Sequence, residues 1–152
     1  MQILAEAKVL ARRYYRATQK PLGVTGEVAE FECLRLLEGL TLAKARQAGY
    51  DAIEMRGGQA LKVQIKGRCV FNRTRVVGRM GSIDINKEFD TVLLVLLDEN
   101  FNAFAIYEAT RPDVINLITK PGSKSRNERG AVGINQFRAI SKLRWPEVTT
   151  QV

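Results

Sequence analysis

Four side chains have types and spacing that could do chemistry together: Glu30, Asp51, Gln64 and Lys66. Two runs, Tyr50 to Met55 and Leu61 to Cys69, alternate as strands do. Between them lies Gly57-Gly58, a favoured two-residue hairpin turn. With those glycines as the turn, Asp51 falls directly opposite Gln64, and Lys66 lies two residues further on the same face. Lys62, Gln64, Lys66 and Arg68 then form a polar stripe, while Leu61, Val63, Ile65 and Cys69 point the other way. An acid, an amide and a lysine in one place can hold a divalent cation, position a water and meet phosphates. Those are the parts of metal-assisted phosphodiester hydrolysis. The competing reading is a half-exposed antiparallel sheet with Asp51 in a surface pair with a lysine.

The fourth group comes from a helix that Thr25 caps and that runs to about Leu37. On a wheel, Ala29, Phe31, Cys33, Leu34, Leu36 and Leu37 span one apolar arc, with Val28, Glu32 and Arg35 in the gap. Glu30 falls near the centre of that arc, where a carboxylate needs a partner cation or a metal. Glu27 falls at its edge, where the helix dipole alone explains it, and the choice between the two as the helix carboxylate stays open.

The elements that must position these groups follow from the same patterns. Ile3, Ala7, Leu10 and Tyr14 recur at helical spacing, with Glu6, Lys8, Arg12, Arg13 and Arg16 elsewhere, which predicts an amphipathic first helix closed by Pro21 and Gly23. Thr41 to Gln47 reads as a third helix stopped by Gly49. Thr91 to Leu97 reads as a buried central strand and Ala103 to Tyr107 as the next, reached through Asp98-Glu99-Asn100. Thr110 with Asp113 opens a short helix through Leu117. Lys120 to Gly130 reads as a mobile basic loop, and Ile134 to Leu143 as a last helix. The expectation is one domain over residues 1–152, of mixed α/β class, with an N-terminal helical extension and a central mixed sheet flanked by helices.

Composition narrows the chemistry. The chain has no histidine, which removes Ser/His/Asp and Cys/His catalysis and histidine-ligated zinc. Cys33 and Cys69 form no Cys-x-x-Cys pair, so neither a zinc ribbon nor a dithiol site is expected. The start Met1-Gln2-Ile3-Leu4 lacks the features of a signal peptide, and no apolar run is long enough to span a membrane; a cytoplasmic protein without membrane contact is expected. The net charge is +8, and the window from Lys62 to Arg79 holds six basic residues and no acid. A polyanion partner fits that window, and a merely solvated loop is the alternative.

Gly26-x-x-x-Glu30, Gly49-Tyr50-Asp51 and Gln64-Ile65-Lys66, in that order, resemble the PD-(D/E)XK nuclease superfamily, which includes restriction endonucleases and archaeal Holliday junction resolvases. The resemblance covers about Thr25 to Tyr107. It implies a restriction-endonuclease-like αβββαβ core and Mg²⁺ as cofactor, with Mn²⁺ as a substitute. By position, it implies Asp51 as the metal-binding aspartate, the Ile65 carbonyl as a further ligand, Glu30 as the helix carboxylate and Lys66 as the residue that orients the attacking water. Gln64 stands where Glu or Asp is commoner, as in relatives of the methylation-dependent restriction enzymes. An amide oxygen still ligates a hard cation but brings no charge, so metal affinity should fall.

The resulting expectation is Mg²⁺-dependent cleavage of DNA, with Arg68, Arg73, Arg75 and Arg79 on the phosphate backbone and Lys124 and Arg126 closing from the 120–130 segment. RNA and a homodimer stay open. The rivals are a non-catalytic nucleic-acid-binding module on a nuclease scaffold, which Gln64 favours, and a protein-interaction subunit of a defence system. Steep salt dependence of DNA binding separates the first two from the third.

Overall fold

A segment such as Thr91–Leu97, buried along its whole length, can only be an interior strand with both sheet faces covered. The computed structural model, which describes residues 1–44 and 49–147, builds the protein around it. In chain order the elements are α1 (Gln2–Thr18), α2 (Thr25–Leu36), β1 (Leu40–Leu42), β2 (Ala52–Arg56), β3 (Gln59–Cys69), β4 (Arg79–Ser82) and β5 (Thr91–Leu97). There follow β6 (Ala103–Thr110), α3 (Arg111–Thr119), α4 (Lys124–Arg129), β7 (Ala131–Gly133), α5 (Ile134–Ile140) and β8 (Lys142–Trp145). The main sheet has the order β1-β2-β3-β5-β6-β8, parallel between β3 and β5 and antiparallel elsewhere; β4 and β7 form a separate pair. The fold is therefore mixed α/β, a six-stranded mixed sheet between helices.

Strand alternation divides the core in two. Val63, Ile65, Leu93, Val95 and Leu97 face α1 and α2, where Val28, Ala29 and Cys33 meet them. Val92, Leu94 and Leu96 face the other way, against Val114 and Ile118 of α3, Phe137 of α5, and Met80 and Val132 of the small sheet.

The hairpin follows the sequence. Gly57 and Gly58 have φ of 58° and 80°, the left-handed pair that this turn demands, and Ala52 pairs with Val63 in the expected register. The helix α2 lies directly on β3 because Gly67 has no side chain. A Cβ there would sit 2.5 Å from the Cβ of Ala29 and 3.0 Å from the carbonyl oxygen of Thr25.

Several expectations are corrected. The segment read as a third helix opens with β1 instead, since Leu40–Leu42 pairs with β2; its residues 45–47 lie outside the described part. The 120–130 segment is not a loop throughout, because Ser123 accepts from the Arg126 backbone N–H and starts α4. The last helix stops at Ile140, and Lys142–Trp145 joins the sheet edge beside β6. On α1, the buried side carries Ala11 with Lys8 and Tyr15 rather than the Ile3, Ala7, Leu10, Tyr14 stripe. On α2, Val28 and Glu32 are buried although the wheel put them in the polar gap.

Glu32 is tolerated there because it is saturated: Lys8 Nζ donates at 2.8 Å, Arg35 at 3.1 and 2.9 Å, and the Ala103 N–H at 2.8 Å. Burial would push its carboxyl up, but these bonds hold it below the usual range. Glu54 and Glu108 form a second saturated group. Arg56 reaches both, Arg144 reaches both, and Thr91 Oγ1 donates to Glu108.

Gly67→Ala is expected to destabilise the protein by about 1–3 kcal/mol, the usual range for overpacking a close contact. Urea denaturation measures it; an unchanged midpoint would show that α2 does not depend on this approach.

Candidate functional site

β3 is longer than its neighbour. Its pairing with β2 covers Gln59–Val63, and β5 flanks it from Val63 to Cys69 on the other side. Beyond Val63, no strand among the described residues pairs with the β2 side of β3. Asp51 finishes the ladder there: its N–H donates to the Val63 carbonyl at 2.8 Å, and its Oδ2 accepts from the Ile65 N–H at 2.7 Å. The carboxylate thus takes the place of a missing strand. Since carbonyls along a strand alternate in direction, the Ile65 carbonyl turns to this same open edge as that of Val63.

Gln64 lies one step past the Ala52–Val63 pair, opposite Asp51. It is 9% exposed. Its Nε2 donates to the Gly49 carbonyl at 3.4 Å, and its Oε1 is buried without a partner among the described residues. Gly49 seals this spot because it has φ 94° and no side chain; a Cβ would lie 2.6 Å from that of Lys87.

Glu30 approaches from the α2 side. On the helix it lies on the opposite flank of the buried row from Glu32, which reaches across to β6, so Glu30 leans toward the open edge. Its carboxyl is pushed from 4.5 up to about 7, first by burial and then by the negative charges of Asp51 and Glu27. Glu30 is thus the helix carboxylate coupled to Asp51, and Glu27 is its neighbour. Lys66 and Gln64 belong to the sheet face opposite to α2, so the expectation that Glu30 and Lys66 converge is corrected: they do not share a face, and only Asp51 is common to their surroundings. Burial pushes the Lys66 ammonium below the usual lysine range, with Asp51 opposing and Arg68 and Lys87 adding to the drop.

Among the described residues, no ion pair involves Glu30, Asp51 or Lys66. No three His, Cys, Asp or Glu side chains cluster there as a metal-holding group either. A cation at this edge would therefore draw two carboxylates at most, from Asp51 and Glu30, and neutral oxygens for the rest. The orphaned Gln64 Oε1 and the Ile65 carbonyl are such oxygens, and a hard cation of the Mg²⁺ kind commonly uses one or two carboxylates. The donor set fits it.

The basic residues divide by how they are spent. Arg73, Arg75 and Arg79 are exposed, with Arg73 over the Phe104 ring and weakly paired to Asp98. Arg68 is partly committed: its Nε donates to the Arg79 carbonyl at 2.6 Å, tying β3 to β4. Arg126 corrects the sequence reading. It is 7% exposed, its guanidinium is held by the carbonyls of Lys120 and Pro121, and it braces the turn before α4 instead of facing a partner. Lys124 is exposed. Lys87, which no local pattern singles out, is brought to Lys66 by the segment leading into β5.

Among the described residues, no helix is long and apolar enough to cross a membrane. Compared with known proteins, the chain matches no protein-family model and no curated sequence.

The Glu30 carboxyl yields a sign that can be tested. The unfolded chain loses this proton near 4.5 and the folded chain near 7, so the folded state holds more protons between them. Stability falls as pH rises through that window and stays reduced above it. In metal-free buffer, Glu30→Gln is expected to raise the thermal midpoint by a few degrees at about pH 8 and to change it little at about pH 4. A midpoint raised equally at both would assign the effect to packing.

Proposed function

We propose that the protein is a divalent-cation-dependent nuclease of the PD-(D/E)XK type acting on DNA. The observation that carries this reading is the buried Gln64 Oε1, without a partner among the described residues, opposite a carboxylate that no cation of the described residues pairs with. A buried acceptor in that position is costly unless a ligand satisfies it. Asp51, Glu30, Gln64 and the Ile65 carbonyl would hold the cation. When bound, a Mg²⁺ ion supplies Lewis-acid polarisation of the phosphate and eases ionisation of water.

The chain's own groups account for the rest. Asp51 keeps Oδ2 on the Ile65 N–H, which fixes the carboxylate at the open edge. Lys66, desolvated yet cationic, orients a water toward phosphorus and steadies the charge that develops there. Glu30, poised near neutrality, holds or releases a proton at its carboxyl oxygens. Arg73, Arg75 and Arg79, with Lys124, contact the phosphate backbone, and such contacts position a substrate without reading its sequence.

One observation favours a second reading, a nucleic-acid-binding module without catalysis. Among the described residues no group of three acids forms at this edge, and Gln64 adds no charge.

A cleavage screen over branched, duplex and single-stranded DNA with Mg²⁺ or Mn²⁺ tests the choice. Lys66→Ala is expected to abolish cutting while leaving binding largely intact, since one lysine among many contributes little to phosphate neutralisation. Gln64→Glu is expected to lower the Mg²⁺ concentration for half-maximal cutting. Steeply salt-dependent binding without cutting would support the binding module; cutting unaltered in both variants would place the activity elsewhere.

A further inference from the structure

The most regular apolar spacing in α1 is Ile3, Ala7, Leu10, Tyr14, and the fold does not use it. The helix turns its other side inward: Lys8 bonds Glu32, Ala11 is buried, and Tyr15 stacks on Phe71 with ring centroids 4.3 Å apart. Ile3 is left 79% exposed, Leu10 56% and Tyr14 39%. Of the nine large apolar side chains exposed among the described residues, four lie on α1, and a fifth, Met1, caps it. Scattered exposed apolar residues need no explanation, but a continuous stripe marks an interaction surface.

We propose that this stripe docks antiparallel on the α1 stripe of a second copy of the chain. The 4-3-4 spacing is that of a coiled-coil seam. A two-fold axis at its midpoint sets Ile3 against Tyr14 and the small Ala7 against Leu10, and an isologous pairing uses each contact twice. Charge selects the direction. Glu6 and Arg13 flank the seam on one side, both exposed, and neither forms an ion pair among the described residues. The antiparallel arrangement brings Glu6 of one copy to Arg13 of the other at both ends. A parallel arrangement turns Glu6 toward position 11 and Arg13 toward Thr18 and gains no pair. Glu6 beside the seam also disfavours an anionic lipid surface, the other partner an amphipathic basic helix could serve.

Sedimentation equilibrium on the whole chain tests the proposal. Wild type is expected to dimerise reversibly, and Leu10→Glu and Tyr14→Arg to raise the dissociation constant by on the order of tenfold or more. Both positions are exposed, so thermal midpoints should stay near the wild-type value. Glu6→Arg should weaken the dimer, and Glu6→Arg with Arg13→Glu should restore it. A monomeric wild type, a dimer untouched by Leu10→Glu, a double exchange without recovery, or a monomer that binds phosphatidylserine vesicles would each overturn it.

Discussion

Everything at the candidate site depends on β3 outlasting β2. A strand edge without a neighbour exposes backbone donors and acceptors that must be satisfied. At Ile65 the donor is taken by the Asp51 carboxylate, so an acid is anchored in the sheet plane where a strand would otherwise lie. The same gap leaves the Ile65 carbonyl turned to this open edge. The parallel neighbour β5 keeps this stretch rigid on its other side, and α2 closes on it through the Gly67–Ala29 approach.

The molecule treats its buried charges in two ways. Glu32 is enclosed by Lys8, Arg35 and the Ala103 N–H, and Glu54 and Glu108 by Arg56, Arg144 and Thr91. Removing one member of such a group strands the others, so these sets fix architecture. At the β3 edge the pattern reverses. Glu30 is made harder to ionise by burial and by Asp51, Lys66 is desolvated with Arg68 and Lys87 near it, and the Gln64 Oε1 has no partner among the described residues. The contrast lies between this edge and the buried carboxylates Glu32, Glu54 and Glu108, each of which has its own cations.

The parts legible in the sequence are those fixed by local rules. Two glycines dictated the hairpin and its register, hence the Asp51–Gln64 pairing, and the apolar run Val92–Leu97 dictated a central strand. What needed tertiary partners was not legible. β4, β7 and β8 are short and gain meaning only from their pairings, and Leu40–Leu42 takes strand form because β2 lies beside it. The α1 and α2 faces were misread for one reason: Lys8 and Glu32 look like solvent-facing residues until each supplies the other's counter-charge, 24 residues apart. Arg126 looked like a free surface cation, but the carbonyls that hold it are set by the turn at Pro121. Glu30 was legible because an acid beside apolar neighbours conflicts with the helix pattern, yet its link to Asp51 needed the fold.

The most direct measurement of the central claim is binding of Mn²⁺ by the protein alone, followed by electron paramagnetic resonance, for wild type and Asp51→Asn. One Mn²⁺ site per chain is expected at about pH 8, weakened as Glu30 protonates below about pH 7, and lost in Asp51→Asn. Absence of binding by wild type, or binding undiminished in Asp51→Asn, would contradict it.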